Sequence, residues 1–143
     1  MLDLAKRKTI DLLIEQFWKQ GYLTISRRFG TYLPEPAKVG NFVVDIIAKH
    51  KKNYAIGITL TGDDFKDSQI LEKIIYLATR QTKFSGKMVL LYIGVYTMYY
   101  KNAKVLVESI EPEIRKNIRL VQISERSSIQ IRKSGDRRNA LFS

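Results

Sequence analysis

A chain of 143 residues with 45% hydrophobic side chains suits one folded domain with a real core. Its 25 Lys and Arg against 14 Asp and Glu give a formal net charge of +11, which attracts polyanions and makes nucleic acid the leading expected partner, DNA ahead of RNA. With no Cys and a single His, His50, disulfides, thiolate catalysis, Cys-based zinc sites and multi-His metal centres are excluded, leaving oxygen ligands of the kind that suit Mg or Mn.

Ile10, Leu13, Ile14 and Phe17 recur at helical spacing with Trp18 beside them, so residues 3–20 are expected to form a helix with Lys6, Arg7, Lys8, Glu15 and Lys19 on its other faces. Gly21 supplies a stop. Residues 22–29 alternate as a half-buried strand with a basic end, Arg27-Arg28, and residues 30–40, which contain Pro34-Glu35-Pro36, form a loop. Residues 42–48 and 54–60 are β-branched-rich runs separated by His50-Lys51-Lys52-Asn53, the pattern of a hairpin of two largely buried strands. Asp45 interrupts the first run. Burying a lone carboxylate is costly, so Asp45 must be paired, ligated or at a strand end.

Thr61-Gly62-Asp63-Asp64 offers capping acids ahead of a helix expected over residues 64–82, in which Ile70, Lys73, Ile74, Leu77 and Ala78 mark one face. Residues 88–93 are a continuous apolar run short enough for a central strand. Residues 99–116 predict a helix with Val105, Leu106 and Ile110 inward and a break or kink at Pro112, and residues 119–123 predict the last strand of the core. From Ser124 the chain turns polar and basic, with Arg126, Arg132, Lys133, Arg137 and Arg138; Ile129-Gln130-Ile131 is expected to add an edge strand ahead of a mobile tail. The expected division is thus a domain over residues 1–123 and a basic C-terminal segment over residues 124–143.

The order helix, strand, strand, strand, helix, strand, helix, strand, with Asp45 in the second strand and Ile56-Gly57-Ile58-Thr59 in the third, resembles the PD-(D/E)XK superfamily over residues 3–123. These are restriction-endonuclease-like nucleases that include Holliday-junction resolvases. The resemblance implies an α/β fold with a mixed β-sheet flanked by helices. It also implies a site in which a second-strand acid and a third-strand acid-x-Lys surround one or two divalent metals, often with a Glu from the first helix. There the carboxylates hold Mg, Mg polarises the phosphodiester and activates a water, and Lys steadies the developing charge. Asp45 matches the second-strand acid and Glu15 the helical one. The third strand departs from the pattern, because register places its acid and Lys at Gly57 and Thr59. Asp64-Phe65-Lys66 restores the acid-x-Lys spacing a few residues later, and Glu35 is a further acid able to approach Asp45 from its loop. The bland alternatives are a helix-capping Asp63 or Asp64, a solvated Lys66 and Glu35, and a Glu15 paired with Lys19.

The expectation for function is therefore a nucleic-acid-binding protein on a nuclease-like fold with an incomplete, inactive metal site, needing no cofactor. An active Mg- or Mn-dependent endonuclease using Asp45, Asp64 and Lys66, with Glu15 or Glu35 as further metal ligands, is the first alternative. A protein-interaction module in a larger assembly is the second. Phosphate contacts are expected from Lys6, Arg7, Lys8, Arg27, Arg28, Lys49, Lys51, Lys52, Arg132, Lys133, Arg137 and Arg138. Tyr92, Tyr96, Tyr99 and Tyr100, near Lys101 and Lys104, either stack unpaired bases or pack the core. No apolar run reaches the ~20 residues of a membrane span and the first residues lack a signal-peptide core, so the expected location is cytoplasmic, away from membranes. An apolar strand or helix face would allow a homodimer, as in many proteins of this fold. The lack of Cys with abundant Lys, Arg and Ile fits a thermophilic composition.

Overall fold

The β-branched runs pair into one sheet. The computed structural model describes residues 2–83 and 85–124, in which β1 (Leu23–Arg27), β2 (Ile46–His50), β3 (Asn53–Leu60), β4 (Leu90–Tyr96) and β5 (Ile118–Ile123) stand in the order β1-β2-β3-β4-β5. Neighbours β1–β2 and β2–β3 are antiparallel, and β3–β4 and β4–β5 are parallel. The antiparallel β2–β3 pair needs only a tight turn, closed where His50 faces Asn53 and Lys51 adopts φ 56°. The parallel pairs need crossovers. The first carries α2 (Ile70–Ala78), and the second carries α3 (Tyr100–Glu108) and α4 (Pro112–Arg115). The protein is thus α/β with a mixed, open sheet.

Two apolar layers sandwich that sheet. On one face Ile56, Ile58 and Leu60 of β3 and Leu91, Ile93 and Val95 of β4 pack with Ile74 and Leu77 of α2 and Ala103 and Val107 of α3. On the other, α1 (Leu2–Lys19) lays Ile10, Leu13 and Phe17 over Ile46, Ala55, Tyr92 and Ile123. The helix can approach so closely because two strand positions carry no side chain. A Cβ on Gly57 would stand 2.8 Å from Phe17 Cε2, and one on Gly94 would stand 2.7 Å from Ile123 Cδ1 and 3.4 Å from Leu13. Among the described residues no helix is long and apolar enough to cross a membrane.

Several expected boundaries move, each for a local reason. The helix expected over residues 64–82 is a single 3₁₀ turn, Asp64–Lys66, followed by α2 from Ile70. Asp67 between them is extended, and its side chain takes the Gln69 N–H at 2.9 Å instead of letting the helix continue. At the other end Arg80 Nε and Thr79 Oγ1 donate to the Tyr76 carbonyl, ending α2 well before Thr82. Pro112 does not kink a long helix but opens a new one, its fixed φ suiting a first turn. Ile110 is buried as expected, but Val105, expected inside, is 69% exposed, and Ala103 and Val107 are buried instead. Trp18 is also exposed. The expected edge strand at Ile129–Ile131 and the basic segment beyond it lie outside the described residues.

Candidate functional site

Asp45 lies not inside β2 but immediately before it, where the ladder is already engaged: its N–H donates to Gly57 O at 3.0 Å and its carbonyl accepts from Arg28 N at 2.9 Å. The backbone is thereby clamped between β1 and β3, and the side chain is driven inward to 5% exposure. A buried carboxylate needs partners, and this one has four. Oδ2 accepts from Thr59 N at 2.8 Å and from Thr59 Oγ1 at 3.0 Å, and Lys6 Nζ stands 3.5 Å away. Oδ1 meets Arg28 Nη1 at 3.2 Å.

Lys6 arrives from the first turns of α1 and also donates to Thr59 O at 2.8 Å, so one ammonium bridges a strand carbonyl and the buried acid. Arg28 arrives from the turn after β1. That turn is held by Arg27 N to Pro34 O at 2.9 Å and by Phe29 N to Glu35 Oε2 at 3.0 Å, with Phe29 in the left-handed region at φ 58°. The guanidinium then lies 4.6 Å from the centre of the Phe29 ring. Lys73 of α2 feels the charges of this group. Burial holds its ammonium below the usual lysine value; Asp45 and Asp64 act against that, and Lys6 and Arg28 add to it.

Lys6, Arg28, Phe29, Thr61 and Tyr96 line a cavity of about 300 Å³, with Asp63 and Asp64 also in its wall. Tyr96 is fixed there by a 2.9 Å hydrogen bond from Thr9 Oγ1. Asp64 is occupied locally, its Oδ2 accepting from Thr61 N at 2.7 Å and Thr61 Oγ1 at 3.1 Å, and Lys66 is exposed. The pair therefore behaves as turn-capping acid and solvated lysine. Glu35 secures the Phe29 turn. Glu15 is exposed on α1, nine residues beyond Lys6 and so about 13 Å further along the axis.

These residues do not fit a divalent metal. Mg wants several hard oxygens with negative charge close by, whereas both oxygens of Asp45 are committed to protein donors and its charge is offset by two cations. Gly57, where the resemblance would put a third-strand acid, is sealed under Phe17. No three His, Asp or Glu among the described residues are grouped to hold an ion.

The expected phosphate-binding cations are not one patch. Lys6 and Arg28 meet at Asp45; Arg27 instead pairs with Asp11 at 2.7 Å. Arg7 and Lys8 are exposed on α1, while Lys49 near the end of β2 and Lys51 and Lys52 of the β2–β3 turn sit at the end of β3 away from Asp45. Arg132, Lys133, Arg137 and Arg138 lie outside the described residues. Tyr92 is buried in the α1 layer and is unavailable for stacking; Tyr99 and Tyr100 pack against the opposite layer. Thr59, expected only to stand where the resemblance has its Lys, is the principal donor to Asp45. Lys73 stands on the otherwise apolar face of α2, and that charge among Ile70, Ile74 and Leu77 was the signal in the sequence for a group of charges there. Comparison with protein-family models, curated proteins and solved structures finds no match to this chain.

Proposed function

We propose that this is a nucleic-acid-binding protein on a nuclease-like α/β scaffold, in which the position of a metal-binding acid has become an acid that organises cations. The observation that carries it is Asp45: its carboxylate is closed by Thr59, Lys6 and Arg28, in a chain whose net charge is +11. Twenty Lys and Arg against twelve Asp and Glu belong to residues 1–124, so these residues carry most of that excess. Such a charge binds phosphodiesters by releasing their counterions, without a metal and without a base sequence. Asp45 holds Lys6 and Arg28 in fixed positions facing the cavity, and guanidinium and ammonium groups held in this way contact phosphate oxygens with little ordering cost.

The test is one panel: labelled single-stranded, duplex and four-way DNA, and single-stranded RNA, with and without Mn, scored for binding and cleavage by wild type and Asp45→Asn. Salt-sensitive binding without cleavage is expected. Metal-dependent cleavage that disappears in Asp45→Asn would instead establish an endonuclease. Equal affinity for an acidic polypeptide would favour a protein-interaction module.

A further inference from the structure

At the end of β3 remote from Asp45 lies a second cavity, of about 570 Å³, inside the range of roughly 300–1,000 Å³ typical of small-ligand sites. Val39, Ile47, Ile56 and Val89 give it an apolar lining, and Tyr54 contributes a ring. Lys49 near the end of β2, Lys52 from the β2–β3 turn, and Arg80 and Lys83 from the segment after α2 add four cations, and among the described residues no Asp or Glu lines it. The sequence accounts for that bias. It has no acid between Asp45 and Asp63, and none between Glu72 and Glu108, so the two segments that supply the cations carry no acid; Val39, from the loop before β2, adds only an apolar side chain. The Asp45 cavity, with Asp63 and Asp64 in its wall, has no such bias.

Arg80 is already ordered. Its Nε donates to Tyr76 O at 2.8 Å, its Nη2 to Thr79 Oγ1 at 3.3 Å, and its guanidinium carbon stands 3.7 Å from the centre of the Tyr76 ring. A guanidinium has about five N–H donors, so most remain for another acceptor. Lys49 Nζ lies 5.3 Å from the centre of the Tyr54 ring. None of these four cations is in an ion pair among the described residues. An apolar recess with an aromatic side chain and unopposed cations complements a flat heterocycle bearing phosphate.

We propose that this cavity receives an unpaired base of single-stranded nucleic acid, whose flanking phosphates meet Lys49, Lys52, Arg80 and Lys83. The proposal rests on the nucleic-acid-binding function above and narrows it to unpaired strands, because a base stacked inside a duplex cannot enter a recess.

Anisotropy of a labelled oligothymidylate, an abasic strand of equal length and a duplex, each at several salt concentrations, tests it. The variants are Lys52→Glu/Lys83→Glu, Tyr54→Leu and the ring-conserving Tyr54→Trp; Lys52 and Lys83 are exposed, so reversing them leaves the core untouched. Wild type is expected to prefer oligothymidylate over the abasic strand by about tenfold, a preference lost in Tyr54→Leu and kept in Tyr54→Trp. The double reversal is expected to weaken binding and to lower the log–log salt slope on oligothymidylate by at least about 1.4, the share of two phosphate contacts on a single strand. No binding of any nucleic acid overturns both this site and the proposed function. Binding that ignores these variants but falls in Lys6→Ala/Arg28→Ala leaves the function standing and overturns the site. Equal affinity for the abasic strand or the duplex overturns it too, as does displacement of the strand by an equimolar nucleoside monophosphate, which would make the cavity a free-nucleotide site.

Discussion

At the scale of single residues, Asp45 shows how the same side chain serves opposite electrostatic ends. Flanked by acids it would attract a cation; flanked by Lys6 and Arg28 it immobilises them. Removing one partner of a buried ionic group leaves the others uncompensated, so Asp45→Ala is expected to cost about 3 kcal/mol, the low end of the usual range because Lys6 and Arg28 are partly hydrated. Urea denaturation measures this, and adding Lys6→Met to Asp45→Ala should recover part of the loss, a coupling that independent sites would not show. Lys73 makes the complementary case. Its folded pKa is lowered, so at neutral pH the folded protein carries a charge that the unfolded chain bears more easily. That penalty is relieved as pH rises through the lowered value. Lys73→Met is therefore expected to raise the melting temperature at neutral pH, with a gain that shrinks under alkaline conditions.

At the scale of elements, the contact between α1 and β3 decides what the candidate site can contain. Phe17 occupies the space above Gly57, where a Cβ would already be 2.8 Å from its ring. Gly57→Ala is expected to cost about 1–3 kcal/mol through overpacking. Gly57→Asp should cost more, because it adds an unpaired buried carboxylate, and Gly57→Asp/Thr59→Lys should not acquire Mn-dependent cleavage; denaturation and a nuclease assay check these outcomes. The same layer holds Tyr92, whose phenol is kept above its usual 10.0 by burial, with Tyr22 adding and Arg119 opposing. The folded state thus retains a proton that the unfolded chain releases, a contribution present below that value and lost as pH rises past it. Stability should fall as pH rises above 10.0 more steeply in wild type than in Tyr92→Phe, followed by urea midpoint at each pH. Of these elements α1 was legible from its spacing alone, because Ile10, Leu13 and Phe17 repeat at one period over many turns. The α2 boundary was not, because the extended Asp67 and the Arg80 bond to Tyr76 depend on backbone positions that periodicity does not encode.

At the scale of the whole molecule, charge and topology act separately. Net charge is a sum over residues and needs no fold, so polyanion affinity with a steep salt dependence is expected from composition alone; each phosphate neutralised should contribute about 0.9 to the log–log slope on duplex DNA. A titration of binding against salt checks it, and a slope near zero would place the charge out of reach of phosphate. The sequence by itself determined the α/β class, the β2–β3 hairpin, the helical face of α1 and the acid-poor stretches on either side of Asp63 and Glu72, since each is written in local spacing or composition. Only the tertiary structure decided that Lys6, Arg28 and Thr59 converge on Asp45, that Phe17 closes over Gly57, and that Lys49, Lys52, Arg80 and Lys83 share one cavity. The reason is physical: those groupings join residues far apart in the chain, and sheet register and helix docking, not sequence neighbourhood, set the distances between them.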